Sequence, residues 1–126
     1  MQTNRLDHLV LTVKNIPKTI AFYTSIMEMT HIQFAEGRNA LSFGNQKINL
    51  HEVGKEFEPK ASNPNPGSAD LCFITETKIK DTIEELHESN IIILEGPIER
   101  TGATGKIISI YFRDPDNNLI EISNYI

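Results

Sequence analysis

The stretch YFRDPDNNLIEI, residues 111–122, joins two strand-like runs through a polar turn that contains proline. In its second run, Ile120 and Ile122 alternate with Glu121. Such alternation is typical of a strand that buries one face in a core and leaves the other face accessible. The stretch therefore predicts an antiparallel hairpin that places the Glu121 carboxylate on the sheet face away from the core.

A second strand, residues 46–53, repeats this pattern in the first half of the chain. Its apolar positions superpose on those of the final strand, so that Asn49 corresponds to Glu121 and His51 to Ser123. Residues two apart share a face of a strand. The pattern therefore places Asn49 and His51 together on the accessible face.

The two halves of the chain show the same order of predicted elements. The predicted strands are 6–13, 31–35, 38–43, 46–53, 69–75, 91–94, 107–113 and 118–124. A helix capped by Asn15 follows the first strand, and a helix over about 78–89, capped by Thr77, follows the fifth. Residues 54–68 are rich in proline and polar side chains and are expected to link the halves. The prediction is an α+β fold with two βαβββ modules, about 6–53 and 69–125, forming a curled mixed sheet in a single domain over 1–126.

Composition excludes several classes of protein. The chain has 126 residues, a formal charge of −5 and a pI of about 5.3, with no basic run that would indicate binding to nucleic acid. No apolar stretch is long enough to span a membrane, and the first residues lack a signal-peptide core. The single Cys72 excludes an intramolecular disulfide and is compatible with a cytoplasmic location.

Five polar side chains lie on strands that are otherwise apolar: His8, Asn49, His51, Asp70 and Glu121. A buried polar group needs a partner, because leaving it unpaired costs about 1–3 kcal/mol. A metal ion is one such partner, since two imidazoles and a carboxylate form a recognised ligand set for divalent iron, manganese, nickel or zinc.

The chain resembles the vicinal-oxygen-chelate superfamily, which includes glyoxalase I, extradiol dioxygenases, fosfomycin-resistance thiol transferases and bleomycin-binding proteins. It looks most like the small glyoxalase-domain members described as virulence-associated. The resemblance extends from Leu6 to about Tyr125. It rests on the strings DHLVL at 7–11, IAFY at 20–23, KINLH at 47–51, YFRDPDN at 111–117 and NLIEI at 118–122.

The resemblance implies roles for individual residues. His8 and Glu121 match the first and last metal ligands of the family. Asn49 occupies the position that usually carries a ligand, and His51, two residues on, is the stronger donor on the same face. Asp70 stands where many members carry a histidine, and it is retained as a candidate ligand.

Each candidate also has a structural interpretation. His8 alone would more often be a satisfied core or edge residue, Glu121 a carboxylate on a solvated face, and Asp70 a cap of the turn that precedes its strand. Asn49, Tyr111 and Arg113 are candidate substrate-binding groups. A structural tyrosine and a surface ion pair are the alternatives for Tyr111 and Arg113. Cys72 is expected to behave as a small buried hydrophobe.

The function implied by the resemblance is metal-assisted chemistry on a small substrate with two neighbouring oxygens. Lyase or isomerase chemistry like that of lactoylglutathione lyase is the first expectation, and dioxygenase chemistry is the second. The expected cofactor is a Zn, Ni, Mn or Fe ion, and the expected catalytic base is Glu121 or Asp70. The expected assembly is a homodimer. One alternative is a metal-free, bleomycin-resistance-like binding protein. Another is a fosfomycin-type thiol transferase, which needs a cation-lined cavity. Against it, Lys47 is assigned to the face opposite His51, which leaves Arg113 as the one basic side chain near the cavity.

Overall fold

Two units, each made of one helix and a four-stranded sheet, form the chain in a computed structural model that describes residues 1–126. The first unit is Met1–Gly67 and the second is Ser68–Ile126. The α+β class and the two βαβββ modules are confirmed. No helix of the chain has the length and apolar character needed to cross a membrane.

The first unit contains five elements in the predicted order. They are β1 (His8–Val13), α1 (Ile16–Met27), β2 (Thr30–Phe34), β3 (Arg38–Phe43) and β4 (Gln46–Glu52). The strands lie in the order β1-β4-β3-β2, with β1 parallel to β4 and the remaining pairs antiparallel. Residues 54–67 carry neither helix nor strand, as their proline content predicts.

Helix α1 begins and ends for identifiable local reasons. The side chain of Asn15 accepts a hydrogen bond from the Lys18 amide at 2.9 Å, which confirms the predicted cap. Pro17 lies in the first turn, where the missing N–H group has no helical partner to lose. Glu28 ends the helix in the left-handed region at φ 52°.

The core of the first unit lies between α1 and one face of its sheet. Leu11, Val13, Ile48 and Leu50 are almost fully buried, and the ring of Tyr23 on α1 is completely buried. The alternate side chains of β1 and β4 point away from α1, because successive residues of a strand face opposite sides. We call this opposite side the helix-free face.

The second unit repeats the topology of the first. Its elements are β5 (Asp70–Ile74), α2 (Ile79–Glu88), β6 (Glu95–Thr101), β7 (Lys106–Arg113) and β8 (Leu119–Tyr125). The strands lie in the order β5-β8-β7-β6, with β5 parallel to β8. Ile110, Phe112 and Ile120 are fully buried on the side that packs against α2.

The cap of α2 differs from the prediction. Lys78, and not Thr77, is the N-cap residue, and its side chain makes no capping bond. Instead, Oδ1 of Asn124 on β8 accepts from the Ile79 amide at 2.8 Å, and its Nδ2 donates to the carbonyls of Thr75 and Thr77. The cap therefore comes from a residue distant in sequence, which a local pattern cannot reveal.

The strand predicted over 91–94 is also wrong. Residues 91–94 carry no regular structure, and the strand β6 begins at Glu95. Arg100 and Thr101 are the last residues of this strand and pair with Ile107 and Lys106. Ile92 and Leu94 are exposed, so their apolar character does not report a buried strand.

Candidate functional site

The strand registers of the two units place the candidate ligands at equivalent positions. In the first unit His8 pairs with Lys47, and Asn49 lies two residues further along β4. In the second unit Asp70 pairs with Leu119, and Glu121 lies two residues further along β8. His8 is thus the counterpart of Asp70, and Asn49 is the counterpart of Glu121. All four side chains lie on the helix-free faces of their sheets.

His8 is oriented by its neighbour Asp7. The Nδ1–H group of His8 donates to Oδ2 of Asp7 at 2.8 Å, and the imidazole side chain is 45% exposed. This hydrogen bond, together with the charges of His8, Arg5 and Lys47, lowers the pKa of Asp7. An imidazole that donates from one nitrogen to a carboxylate presents the lone pair of the other nitrogen, an arrangement common among metal-binding histidines.

Asn49 carries an unusual buried oxygen. Its Oδ1 atom is inaccessible to solvent and has no hydrogen-bond partner in the chain. The residue lies opposite Val10 on one side and Ala40 on the other, and neither side chain can donate a hydrogen bond. The same face therefore holds an unsatisfied acceptor next to the strand position of His8.

His51 lies at a different place on the same strand. It pairs with Thr12, four residues along β1 from His8, which separates the two backbones by about 13 Å along the strands. The ring is buried against Phe57, with the ring centroids 5.6 Å apart. Metal–nitrogen bonds are only about 2.1 Å long. The first unit therefore does not present His8 and His51 to one ion.

Glu121 belongs to a network of polar side chains on the helix-free face of the second unit. Ser109 donates to Oε1 of Glu121 at 2.6 Å, and its oxygen is 2.7 Å from that of Ser123. Both serines are fully buried. The Cys72 thiol lies 3.4 Å from the Ser123 hydroxyl, and Cys72 is the register partner of Glu121 on the neighbouring strand. Glu121 is therefore held by its surroundings and not loosely placed.

Tyr111 lies directly opposite Glu121 on the neighbouring strand. Its hydroxyl accepts a hydrogen bond from Nε of Arg100 at 3.0 Å, and Arg100 also lies 3.4 Å from Oε1 of Glu95. Partial burial raises the pKa of Tyr111, and the nearby Glu121 adds to the rise. Tyr111 is therefore a neutral hydroxyl at physiological pH, next to the candidate ligand.

Arg113 and Asp70 lie at the edge of this arrangement. Arg113 is exposed and donates to the carbonyl of Asn117 at 3.3 Å, within the turn between β7 and β8. Asp70 is exposed at the start of β5. The turn itself is closed by Asp114, whose buried carboxylate accepts from the amides of Asp116 and Asn118 and from the Asn118 side chain.

Two expectations about individual residues are corrected. Cys72 is exposed and not a buried hydrophobe, because it points to the helix-free face while its neighbours Leu71 and Phe73 point away from it. Partial burial and the carboxylates of Glu121 and Asp70 nevertheless raise the pKa of its thiol. Lys47 lies on the same face as His51, because the two are an even number of residues apart.

The donor set suits a divalent ion. It offers an imidazole nitrogen at His8, carboxylate oxygens at Glu121 and Asp70, and the unsatisfied amide oxygen of Asn49. No group of three or more His, Cys, Asp or Glu side chains in the chain is arranged so that it could hold a metal ion. The residue types fit a divalent ion by their chemistry, and each unit carries such donors on its own helix-free face.

Comparison with known proteins identifies the family. Residues 5–122 match the model of the Glyoxalase/Bleomycin resistance protein/Dioxygenase superfamily. The chain belongs to this superfamily. Among curated members, virulence protein STM3117 of Salmonella typhimurium is 60% identical over 126 residues, which cover 100% of this chain and 88% of that protein. The glyoxalase domain-containing protein RDO1 of Mycosarcoma maydis is 57% identical over 125 residues, which cover 99% of this chain and 70% of that protein.

Solved structures of similar proteins share the fold. The crystal structure of STM3117 superposes with a TM-score of 0.99 at 60% identity, over 100% of both chains. A lactoylglutathione lyase from Agrobacterium tumefaciens superposes with a TM-score of 0.75 at 16% identity, over 98% of this chain and 96% of that one. At that identity the second likeness shows the fold alone.

Proposed function

We propose that this protein is a divalent-metal-dependent enzyme of the glyoxalase type that acts on a small substrate with two neighbouring oxygens. The observation that carries the proposal is the equivalent placement of His8 and Asp70, and of Asn49 and Glu121, on the helix-free faces. Membership of the superfamily gives the chemical class its support. The reaction is proposed as lyase or isomerase chemistry, with dioxygenase chemistry second.

His8 and Glu121 are the proposed metal ligands, and Asp70 and Asn49 are further candidate ligand positions. His51 is left out, because it lies four residues along the strands from His8 and is buried against Phe57. When bound, a divalent ion would polarise the two substrate oxygens and stabilise negative charge that develops on them. A homodimer is part of the same proposal, and analytical ultracentrifugation tests it.

The protein's own side chains would orient the reaction. Asp7 fixes the ring of His8, so that its second nitrogen faces away from the carboxylate. Ser109 fixes one oxygen of Glu121, and this orients the carboxylate that would take or return a proton. The neutral hydroxyl of Tyr111, opposite Glu121, would contact the reacting part of the substrate.

An activity assay tests the proposal. Protein loaded separately with Mn, Fe, Ni and Zn is incubated with the hemithioacetal of methylglyoxal and glutathione, and in a second series with a catechol in air. We expect metal-dependent turnover of the hemithioacetal that falls at least a hundredfold in Glu121→Gln. The control is Glu99→Gln, an exposed residue paired with Lys106. No turnover of either substrate with any metal would contradict the proposal.

A further inference from the structure

Arg38 and Lys47 differ from the other basic side chains of the protein. Most basic residues are exposed, and only Arg38, Lys47 and Arg100 are half-buried. Arg100 is engaged with Glu95 and Tyr111. No carboxylate forms an ion pair with Arg38 or Lys47. The first unit therefore holds two partly desolvated cations that make no direct ion pair, although the net charge of the chain is −5.

Aromatic rings hold both cations in place. The Lys47 ammonium lies 3.9 Å from the centroid of the Phe34 ring, and the Arg38 guanidinium lies 5.8 Å from the same centroid. Arg38 also lies 4.1 Å from the centroid of Phe57. A ring face attracts a cation but accepts none of its N–H groups in the way an oxyanion does. The donors of both side chains are thus positioned and unused.

The nearby carboxylates are already occupied by other groups. Asp7 accepts from His8 at 2.8 Å and lies 3.7 Å from Arg5. Glu56 accepts from the Gly54 amide at 2.7 Å and lies 3.9 Å from the Lys60 ammonium. Neither carboxylate forms an ion pair with Arg38 or Lys47.

The two cations share a face with His8 and Asn49, the candidate metal-binding positions of the first unit. Lys47 is the register partner of His8 and lies two residues from Asn49. Arg38 lies on this face because it is two residues from Ala40 on β3, and Ala40 lies opposite Asn49. Phe34 lies on it as well, because it is the register partner of Arg38 on β2. We propose that Arg38 and Lys47 form an anion subsite that binds the carboxylate or phosphate group of a small molecule.

The chemistry of the pair selects an oxyanion. The planar guanidinium presents paired donors that match the oxygens of a carboxylate or phosphate, and the ammonium adds a second positive charge across the Phe34 ring. The subsite gives the substrate class of the proposed enzyme, an acid with two neighbouring oxygens, and this assignment rests on the proposed function. Anion binding itself does not depend on the metal.

A titration followed by NMR tests the subsite in the full chain. Nitrogen-15-labelled protein is titrated at constant ionic strength with lactate, inorganic phosphate and the neutral analogue lactamide, with and without EDTA. We expect saturable shifts around residues 34–49 with lactate or phosphate, in both conditions, and none with lactamide. A response to lactate alone identifies a carboxylate as the group bound, and a response to phosphate alone identifies a phosphate.

Matched variants make the result decisive. Arg38→Gln and Lys47→Gln should each weaken the binding at least tenfold, because each removes charge-assisted hydrogen bonds to the anion. Lys55→Gln, which makes the same charge change at a 79% exposed side chain, should leave it unchanged. Arg38→Lys provides a folded variant that keeps the charge, and it should bind more tightly than Arg38→Gln.

Absence of saturable shifts, or equal affinity in wild type, Arg38→Gln and Lys47→Gln, would overturn the subsite. Anion binding that EDTA abolishes and Arg38→Gln does not affect would place the anion on a metal and would also overturn it. Metal binding measured on the same variants separates the two claims, since the subsite predicts that Arg38→Gln retains its metal. If the protein binds no metal, the proposed function fails, but the anion binding measured in EDTA is still expected.

Discussion

The buried hydroxyl of Ser109 donates to Oε1 of Glu121 at 2.6 Å and lies 2.7 Å from the hydroxyl of Ser123. Ser109 and Ser123 pair across β7 and β8, while Glu121 pairs with Tyr111 on the same two strands. A carboxylate on an accessible sheet face is thereby given one orientation by groups that water does not reach.

Replacement of Ser109 by alanine tests this arrangement. We expect Ser109→Ala to lower the free energy of unfolding by about 1–2 kcal/mol, because a buried hydrogen bond to a charged group is lost. The affinity for a divalent metal should fall about tenfold or more, as for other groups that orient a ligand. Urea unfolding and metal titration measure the two effects. Ser25→Ala, at an exposed position on α1, should change neither, and equal behaviour of both variants would contradict the role of Ser109.

The turn between β7 and β8 depends on Asp114. Its carboxylate accepts from two backbone amides at 2.9 and 3.0 Å and from the Asn118 side chain at 2.8 Å. Asp114→Ala should destabilise the protein by about 3 kcal/mol, because it leaves buried donors unpaired, and Asp114→Asn should cost less because it keeps one acceptor. Thermal and urea unfolding measure the order. The exposed turn residue Glu36 gives the control variant Glu36→Ala, and a similar small effect of all three would contradict the account.

Asn124 should matter to α2 more than the residues next to the helix. Asn124→Ala removes the cap of Ile79 and two bonds to the preceding loop, and should cost about 1–2 kcal/mol of stability. Thr77→Ala should cost less than about 0.5 kcal/mol, since its side chain does not cap the helix. Urea unfolding of both variants measures the two effects. A larger effect of Thr77→Ala would contradict the role of Asn124 and indicate that Thr77 caps the helix.

The burial of His51 gives a dependence of stability on pH. Burial, followed by the charge of Arg38, lowers the pKa of His51 below its ordinary value of 6.5. The unfolded chain therefore binds a proton more readily, so the stabilising contribution is complete above pH 6.5 and is lost as the pH falls through the lower folded pKa.

Chemical denaturation between pH 4 and pH 8 measures this loss (roughly the window in which histidine titrates). His51→Gln should flatten the acid side of the stability profile, and His87→Gln, at an exposed helical position, should not. In an NMR titration, Arg38→Gln should raise the pKa of His51, because a nearby positive charge is removed. An unchanged pKa in that variant would contradict the proximity of the two groups.

Much of the fold follows from local patterns in the sequence. Alternating apolar residues in 46–52 and 119–125 mark strands, and Asn15 and Pro17 mark the start of α1. The cap of α2 and the start of β6 do not follow, because Asn124 acts across the sheet and because Ile92 and Leu94 are apolar but exposed. A local pattern carries no information on partners that are 45 residues away.

The candidate site follows in part. The alternation of residues along each strand places His8, Asn49 and Glu121 on the accessible faces. The strand registers then show that Asn49 is the counterpart of Glu121. The separation of His51 from His8 depends on the alignment of β1 with β4, which the sequence does not specify. Ser109 is recognisable in the sequence as a polar residue within the apolar run 107–112. Its hydrogen bond to Glu121 is not, because that bond requires the pairing of β7 with β8.

Metal stoichiometry tests the central claim most directly. The 126-residue chain, purified without an affinity tag, is loaded with Mn, Fe, Ni or Zn, desalted and measured for metal and protein, next to His8→Ala, Glu121→Ala and the exposed control His87→Ala. We predict about one ion per chain in the wild type and in His87→Ala, and loss of most of it in each of the other two variants. No bound metal in the wild type after loading, or equal metal in all four proteins, would contradict the claim that His8 and Glu121 are metal ligands.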